Sequence, residues 1–196
     1  MMFQSWLRVF GFLALAQVAV CAQAMPVVPV PPENPITEAK RVLGKILFWE
    51  EQLSSDNTMA CGTCHFPEAG GGEARIGDPN FPNPLNINPG VDGLVGTADD
   101  ILGGRGVVAC NPDGSFRDDG TYWPNPQVTG RKTPPAIGAQ WDTETFWDGR
   151  AGSAFYDPDD PTELLIAAGA ALENQAMGPP VSDVEMACMN RGHGDF

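Results

Sequence analysis

The stretch Met59-Ala60-Cys61-Gly62-Thr63-Cys64-His65 decides how the rest of this chain is read. Two thiols three positions apart, with a histidine directly after the second, have the spacing that attaches c-type haem. Each thiol can add to one vinyl group of the macrocycle edge, and the adjacent imidazole then lies beneath the iron as proximal ligand. Cys-x-x-Cys alone also occurs in redox dithiols and in half of a zinc site. A dithiol has no need of the histidine, and zinc would want two more ligands where His193 is the only other histidine.

The sequence before the motif places it outside the cytoplasm. Met1 to Arg8 carries one positive charge, Val9 to Val20 is almost wholly apolar, and Ala22-Gln23-Ala24 is a small-x-small cleavage signal. Residues 1–24 therefore read as a signal peptide, too short in its apolar part for a comfortable membrane span. Haem attachment of the c type belongs to the same periplasmic setting, where disulfides also persist. Of the five cysteines, removal of the leader takes Cys21 and leaves Cys110 and Cys188 beyond the motif. A disulfide between them is expected as a hypothesis.

Of 11 basic residues only Arg8 is lost with the leader, so 10 remain against 25 acidic ones. So acidic a surface argues against nucleic acid as a partner. Nothing after the leader is apolar enough to span a membrane.

Residues 25–36 read as a Pro-rich tether, with Pro at 26, 29, 31, 32 and 35. Thr37 is a candidate N-cap, and Val42, Leu43, Ile46 and Leu47 fall on one helical face. Ser54-Ser55-Asp56-Asn57 reads as the turn that closes this helix. Residues 66–130 hold thirteen Gly and eight Pro without a sustained apolar period, and read as a long insertion with its own local turns. Two Asp-Gly stretches within it, 91–100 and 112–120, could present oxygen ligands to calcium, although neither fits an EF-hand loop and Asp-Gly is common in plain turns. Pro161-Thr162-Glu163 opens a predicted helix through Leu164, Leu165, Ile166 and the Ala-rich run to Leu172. Ser182 and Glu185 have capping-box spacing, predicting another helix from Asp183.

Several ordered blocks carry a family resemblance. They are Leu43-Gly44-Lys45-Ile46-Leu47-Phe48, Leu53-Ser54, the haem motif, Gly130-Arg131-Lys132-Thr133-Pro134-Pro135, Phe146-Trp147-Asp148-Gly149-Arg150-Ala151, and Gln175-Ala176-Met177-Gly178-Pro179 followed by Val184-Glu185-Met186. In these the chain resembles the bacterial di-haem cytochrome c peroxidases, which include the di-haem oxidase of methylamine utilisation. The resemblance implies a mainly α, cytochrome c-like haem domain over residues 37–196, with short helices and the Gly/Pro-rich insertion. It implies haem c on Cys61, Cys64 and His65, and hydrogen peroxide as the substrate met by this haem. A small electron-donor protein, a cytochrome c or a cupredoxin, would be the partner, with a homodimer left open.

The matching positions also imply roles. Glu185 would be the acid/base carboxylate on the open face of the haem, Gln175 a polar residue lining it, and Trp147 an electron bridge between two haems. A carboxylate beside the iron suits O–O cleavage, because a proton must pass from one peroxide oxygen to the other. Each has a plainer reading: Glu185 as half of a capping box, Trp147 as a core aromatic, Gln175 as an ordinary surface group. Asp148 and Arg150 could pair locally or meet a haem propionate.

Two departures from the family pattern stand out. No histidine lies between His65 and His193, which implies an open sixth position or a weak ligand from the insertion. The second haem domain is absent, which reads as a partial sequence or a one-haem form. A mono-haem electron-transfer cytochrome, its sixth site closed by Met59, Met177, Met186 or Met189, remains the alternative. A calcium-dependent binding module is a third reading.

Overall fold

The computed structural model describes residues 24–73, 87–117, 126–188 and 191–195. The predicted leader up to residue 23 and Met189 lie outside the described residues.

Helix α1, Glu38–Phe48, starts where the sequence predicts. The Thr37 hydroxyl accepts the Lys40 N–H at 3.2 Å, a cap that contributes about 1 kcal/mol. Glu38 in the first turn and Lys45 in the last complement the helix dipole. The apolar face is present, yet no α1 residue is buried, and Val42, Leu43, Ile46 and Leu47 are 40–56% exposed. The helix ends at Phe48, ahead of the predicted turn, and a 3-10 turn over Glu51–Leu53 follows. Buried Ser54 then organises the chain: its hydroxyl donates to the Glu51 carbonyl and accepts the N–H groups of Thr58 and Met59.

The expectation of a mainly α domain is corrected. Beyond α1, the α-helices among the described residues are α2, Cys61–Cys64, and α3, Ala171–Ala176. Most of the described chain is turns and loops, with two small antiparallel sheets. Strand β1, Ile87–Asn88, pairs with β2, Ile101–Leu102. Strand β3, Phe155–Tyr156, pairs with β4, Leu164–Ile166.

Strand β4 falls where a helix was predicted, and the cause is upstream. The Asp157 carboxylate accepts the N–H groups of Asp159 and Asp160, and that of Asp160 accepts the Thr162 N–H and hydroxyl. Short acidic side chains that bond nearby backbone compete with helix formation. They make Pro161–Glu163 part of a hairpin turn, closed by Asp157 N–H on the Glu163 carbonyl. Gly169, at φ +85°, then breaks the run before α3.

The helix predicted from Asp183 is also reduced. The Ser182 hydroxyl accepts the Glu185 N–H at 3.3 Å, as capping requires. Only one turn forms, with Met186 and Ala187 N–H both on the Ser182 carbonyl. Cys188 is then held by a disulfide to Cys110, with Cα atoms 5.3 Å apart. The expected pairing is therefore present.

The segment around residue 107 ties distant parts together. Arg105 bridges Val128, Gly106 N–H meets the Gln127 carbonyl, and Val107 N–H meets the Val184 carbonyl. Gly106 lies so close to Val184 that no side chain fits there. Val107 is buried with Met59 and Met186, and Leu53 and Cys64 pack on this cluster. Each such side chain contributes about 1.5–3 kcal/mol on burial. The Pro-rich segment lies against α3, with Pro31 buried and the Asn34 amide donating to the Glu173 carboxylate at 2.8 Å.

Candidate haem site

Helix α2 is a single turn whose inner residues are set by packing. Thr63 folds its hydroxyl back to accept the Ala60 N–H at 3.0 Å. Gly62 is buried beneath the Trp49 ring, where a Cβ would collide with the indole. The turn closes with His65 N–H on the Cys61 carbonyl. Cys61, Cys64 and His65 are thereby presented together from one rigid turn.

Both motif cysteines are free thiols. Burial pushes the Cys61 thiol up. Burial, and then the Glu73 and Glu185 carboxylates, push Cys64 up to about 12, with Arg105 opposing. A redox dithiol works through a thiolate at neutral pH, so this environment is wrong for one. Among the described residues no group of three or more His, Cys, Asp or Glu is placed to hold a metal, which disfavours the zinc reading.

The histidine is oriented as a haem ligand needs. Its Nδ1 lies 2.6 Å from the Gly71 carbonyl oxygen. A carbonyl only accepts, so Nδ1 carries the proton and Nε2 keeps its lone pair for a metal. Such a hydrogen bond fixes the ring and raises its basicity. The three glycines Gly70–Gly72 make the acceptor possible. Gly71 has φ +76°, and a Cβ there would meet the Ala136 and Ile137 backbone nitrogens at 3.0 and 2.9 Å. Those nitrogens donate back to the Gly71 and Gly70 carbonyls. Phe48 from the end of α1 sets its ring 6.4 Å from the imidazole. One thiol pair, one oriented imidazole and an apolar flank are the donor set that haem c requires.

Glu185 is brought to this site. It is half-buried, next to Met186 in the cluster on which Cys64 packs, and its charge reaches the Cys64 thiol. Two charged residues that the sequence reading missed join it. Glu73, 1% exposed, ends the glycine run that positions His65. Arg105 offers its backbone carbonyl to the Cys64 Sγ at 3.3 Å. A charged residue next to a run of glycines is the available signal for both.

Gln175 is on α3, half-buried, and stands apart from the motif's hydrogen bonds described above. Trp147 is 61% exposed rather than a core aromatic. It caps a tight turn closed by the Thr145–Ala151 bridge, in which Phe146 takes a φ of +64°. That conformation is strained for a bulky residue, and Arg150 stacks on the Phe146 ring at 3.5 Å. The Trp147 Nε1 donates to the Lys132 carbonyl at 2.7 Å. Trp147 is thus anchored on the segment 131–137 whose far end supports the His65 acceptor. Asp148 joins Arg131 and Arg150 at 2.6 and 2.8 Å, which hold its carboxyl well below the usual range. Local pairing is the role the geometry gives it.

The pattern of the di-haem cytochrome c peroxidase family matches residues 38–193. The cytochrome-c peroxidase IdrP1 of Denitromonas iodatirespirans is 39% identical over 84 positions, covering 36% of this chain and 22% of that protein. The cytochrome c peroxidase Ccp of Escherichia coli is 26% identical over 162 positions, covering 83% and 22%. The methylamine utilization protein MauG of Methylorubrum extorquens is 32% identical over 126 positions, covering 64% and 24%. The chain thus spans about a quarter or less of these relatives.

Proposed function

That this chain belongs to the di-haem cytochrome c peroxidase family is the premise from which we propose that it is the haem-bearing part of a periplasmic peroxidase-type oxidoreductase. Cys61 and Cys64 would hold haem c by thioether bonds, and His65 would bind its iron through Nε2. The observation that carries this reading is the Nδ1 hydrogen bond of His65 to Gly71, which leaves the metal-binding nitrogen unprotonated. When bound, the haem supplies the iron at which hydrogen peroxide takes up two electrons and two protons to give two waters.

The chain's own residues supply position and protons. Glu185 takes a proton from one peroxide oxygen and delivers it to the other, which leaves as water. Its half-burial beside Met186 and Cys64 supports that role. Gln175 orients the peroxide through its amide. Trp147, exposed and tied to Lys132, passes electrons that originate in a small donor protein. The leader of residues 1–24 supports export. No helix of the described residues is long and apolar enough to cross a membrane.

The test is to produce the chain with haem in an exporting host and to follow peroxide with a reduced donor protein. Peroxide consumption that depends on Glu185 supports the enzyme. A haem with a closed sixth position that leaves peroxide untouched supports the electron carrier instead.

A further inference from the structure

The mechanism above leaves one charged group at the site without a task. Arg105 comes from the Gly/Pro-rich segment, far in sequence from the motif, yet its carbonyl oxygen accepts from the Cys64 Sγ at 3.3 Å. Its position is rigidly set. It bridges Val128, and the next two residues are locked to Gln127 and Val184 by backbone hydrogen bonds. Gly104 and Gly106 on either side are buried against neighbouring strands of backbone, with no room for a side chain at Gly106.

The side chain is half-buried. Its Nε is enclosed and has no hydrogen-bond partner among the described residues. An enclosed donor on a cation is costly unless something nearby returns the energy. Two carboxylates are close to the same sulfur. Glu73 is almost wholly buried and Glu185 half-buried. At the Cys64 thiol the influence of Arg105 is opposite to theirs. The cation and the two carboxylates, brought in from three separate stretches of chain, therefore converge on the atom that would join the haem edge.

We propose that Arg105 is a positioning charge for the haem: held beside Cys64, it raises the reduction potential of the iron against the pull of Glu73 and Glu185. The proposal rests on the haem attachment proposed above. Reduction removes one unit of positive charge at the metal, so a fixed cation near the macrocycle favours the reduced state and a fixed carboxylate the oxidised state. In a low-dielectric interior such charges act strongly. Without Arg105, two carboxylates alone would hold the site oxidised and make it a poor acceptor of electrons.

The experiment is a potentiometric titration of the haem-loaded full chain and its R105Q, R105K and E73Q variants. Pyridine haemochrome quantitation first establishes haem content, so a failure of attachment in the parent protein counts against the haem site and is seen separately. The midpoint is expected to fall in R105Q, to stay near the parent in R105K, and to rise in E73Q. The opposite signs exclude a general loosening of the site, which would move all variants the same way. Where R105Q does not retain haem, E73Q carries the test by itself. An unchanged midpoint in either haem-loaded charge-removing variant overturns the proposal, as does a fall in R105K equal to that in R105Q.

Discussion

Two regions of this chain look like places for a metal, and their difference lies in which donor atoms the fold leaves over. In the acidic stretch 91–100, the Asp99 carboxylate accepts the N–H groups of Val91 and Asp92 and the Thr97 hydroxyl. Asp100 accepts from Gly96, and Asp92 from Leu94. Those oxygens brace their own turn. In the Cys61–His65 turn the bracing comes from elsewhere: Thr63 serves Ala60, and Gly71 serves the far side of His65. Both thiols and the imidazole Nε2 remain available. Residue type nominates a site, and the hydrogen bonds already made decide it.

Replacing both thiols, C61S/C64S, is the strongest way to break this contrast. Covalent haem should be lost completely, as read by haem staining of the denatured chain. Retained stain would mean that attachment lies elsewhere. Next comes E185Q, expected to slow peroxide consumption by about 100-fold while haem content holds, since a positioned acid/base group contributes roughly 10²–10⁴. An unaltered rate would return Glu185 to its plain capping role.

The frame that carries the site is tested by C110A/C188A. The disulfide closes a span of 78 residues, so its loss should cost about 4 kcal/mol by the chain-entropy model. Denaturant unfolding reads this, and a loss below about 1 kcal/mol would show that the Val107–Val184 contacts hold the frame alone. G62A should destabilise by about 1–3 kcal/mol, the usual cost of overpacking, with a change in tryptophan fluorescence as the Trp49 ring is displaced. The smallest effect belongs to the acidic stretch. Chelators should leave the melting temperature unchanged, because its carboxylates already serve backbone N–H groups; a clear fall would restore the calcium reading.

The parts of this architecture legible in the sequence are those whose causes are local. Thr37 and the apolar face of α1 announce the helix, and the haem motif announces itself by spacing. The Cys110–Cys188 pair followed from counting the cysteines left outside the motif. What was not legible depends on distant chain. Leu164–Ile166 has the composition of a helix start, and became a strand because Asp157 and Asp160 turned the chain so that Phe155–Tyr156 could pair with it. The capping signal at Ser182 was read correctly, but the disulfide at Cys188 follows after one turn. Glu73 and Arg105 carry no motif, and only the fold brings them to Cys64.

The uncovered face of α1 and the exposed Trp147 belong to the same lesson. A sequence periodicity shows that a face is apolar, and not what covers it.

The measurement that tests the account most directly is the mass of the exported chain together with its pyridine haemochrome spectrum. The account predicts one haem that survives acid-acetone extraction, bound through two thioethers with Cys61 and Cys64 no longer titratable as thiols. A chain with two free motif thiols, or with haem that extracts into acid acetone, would contradict it.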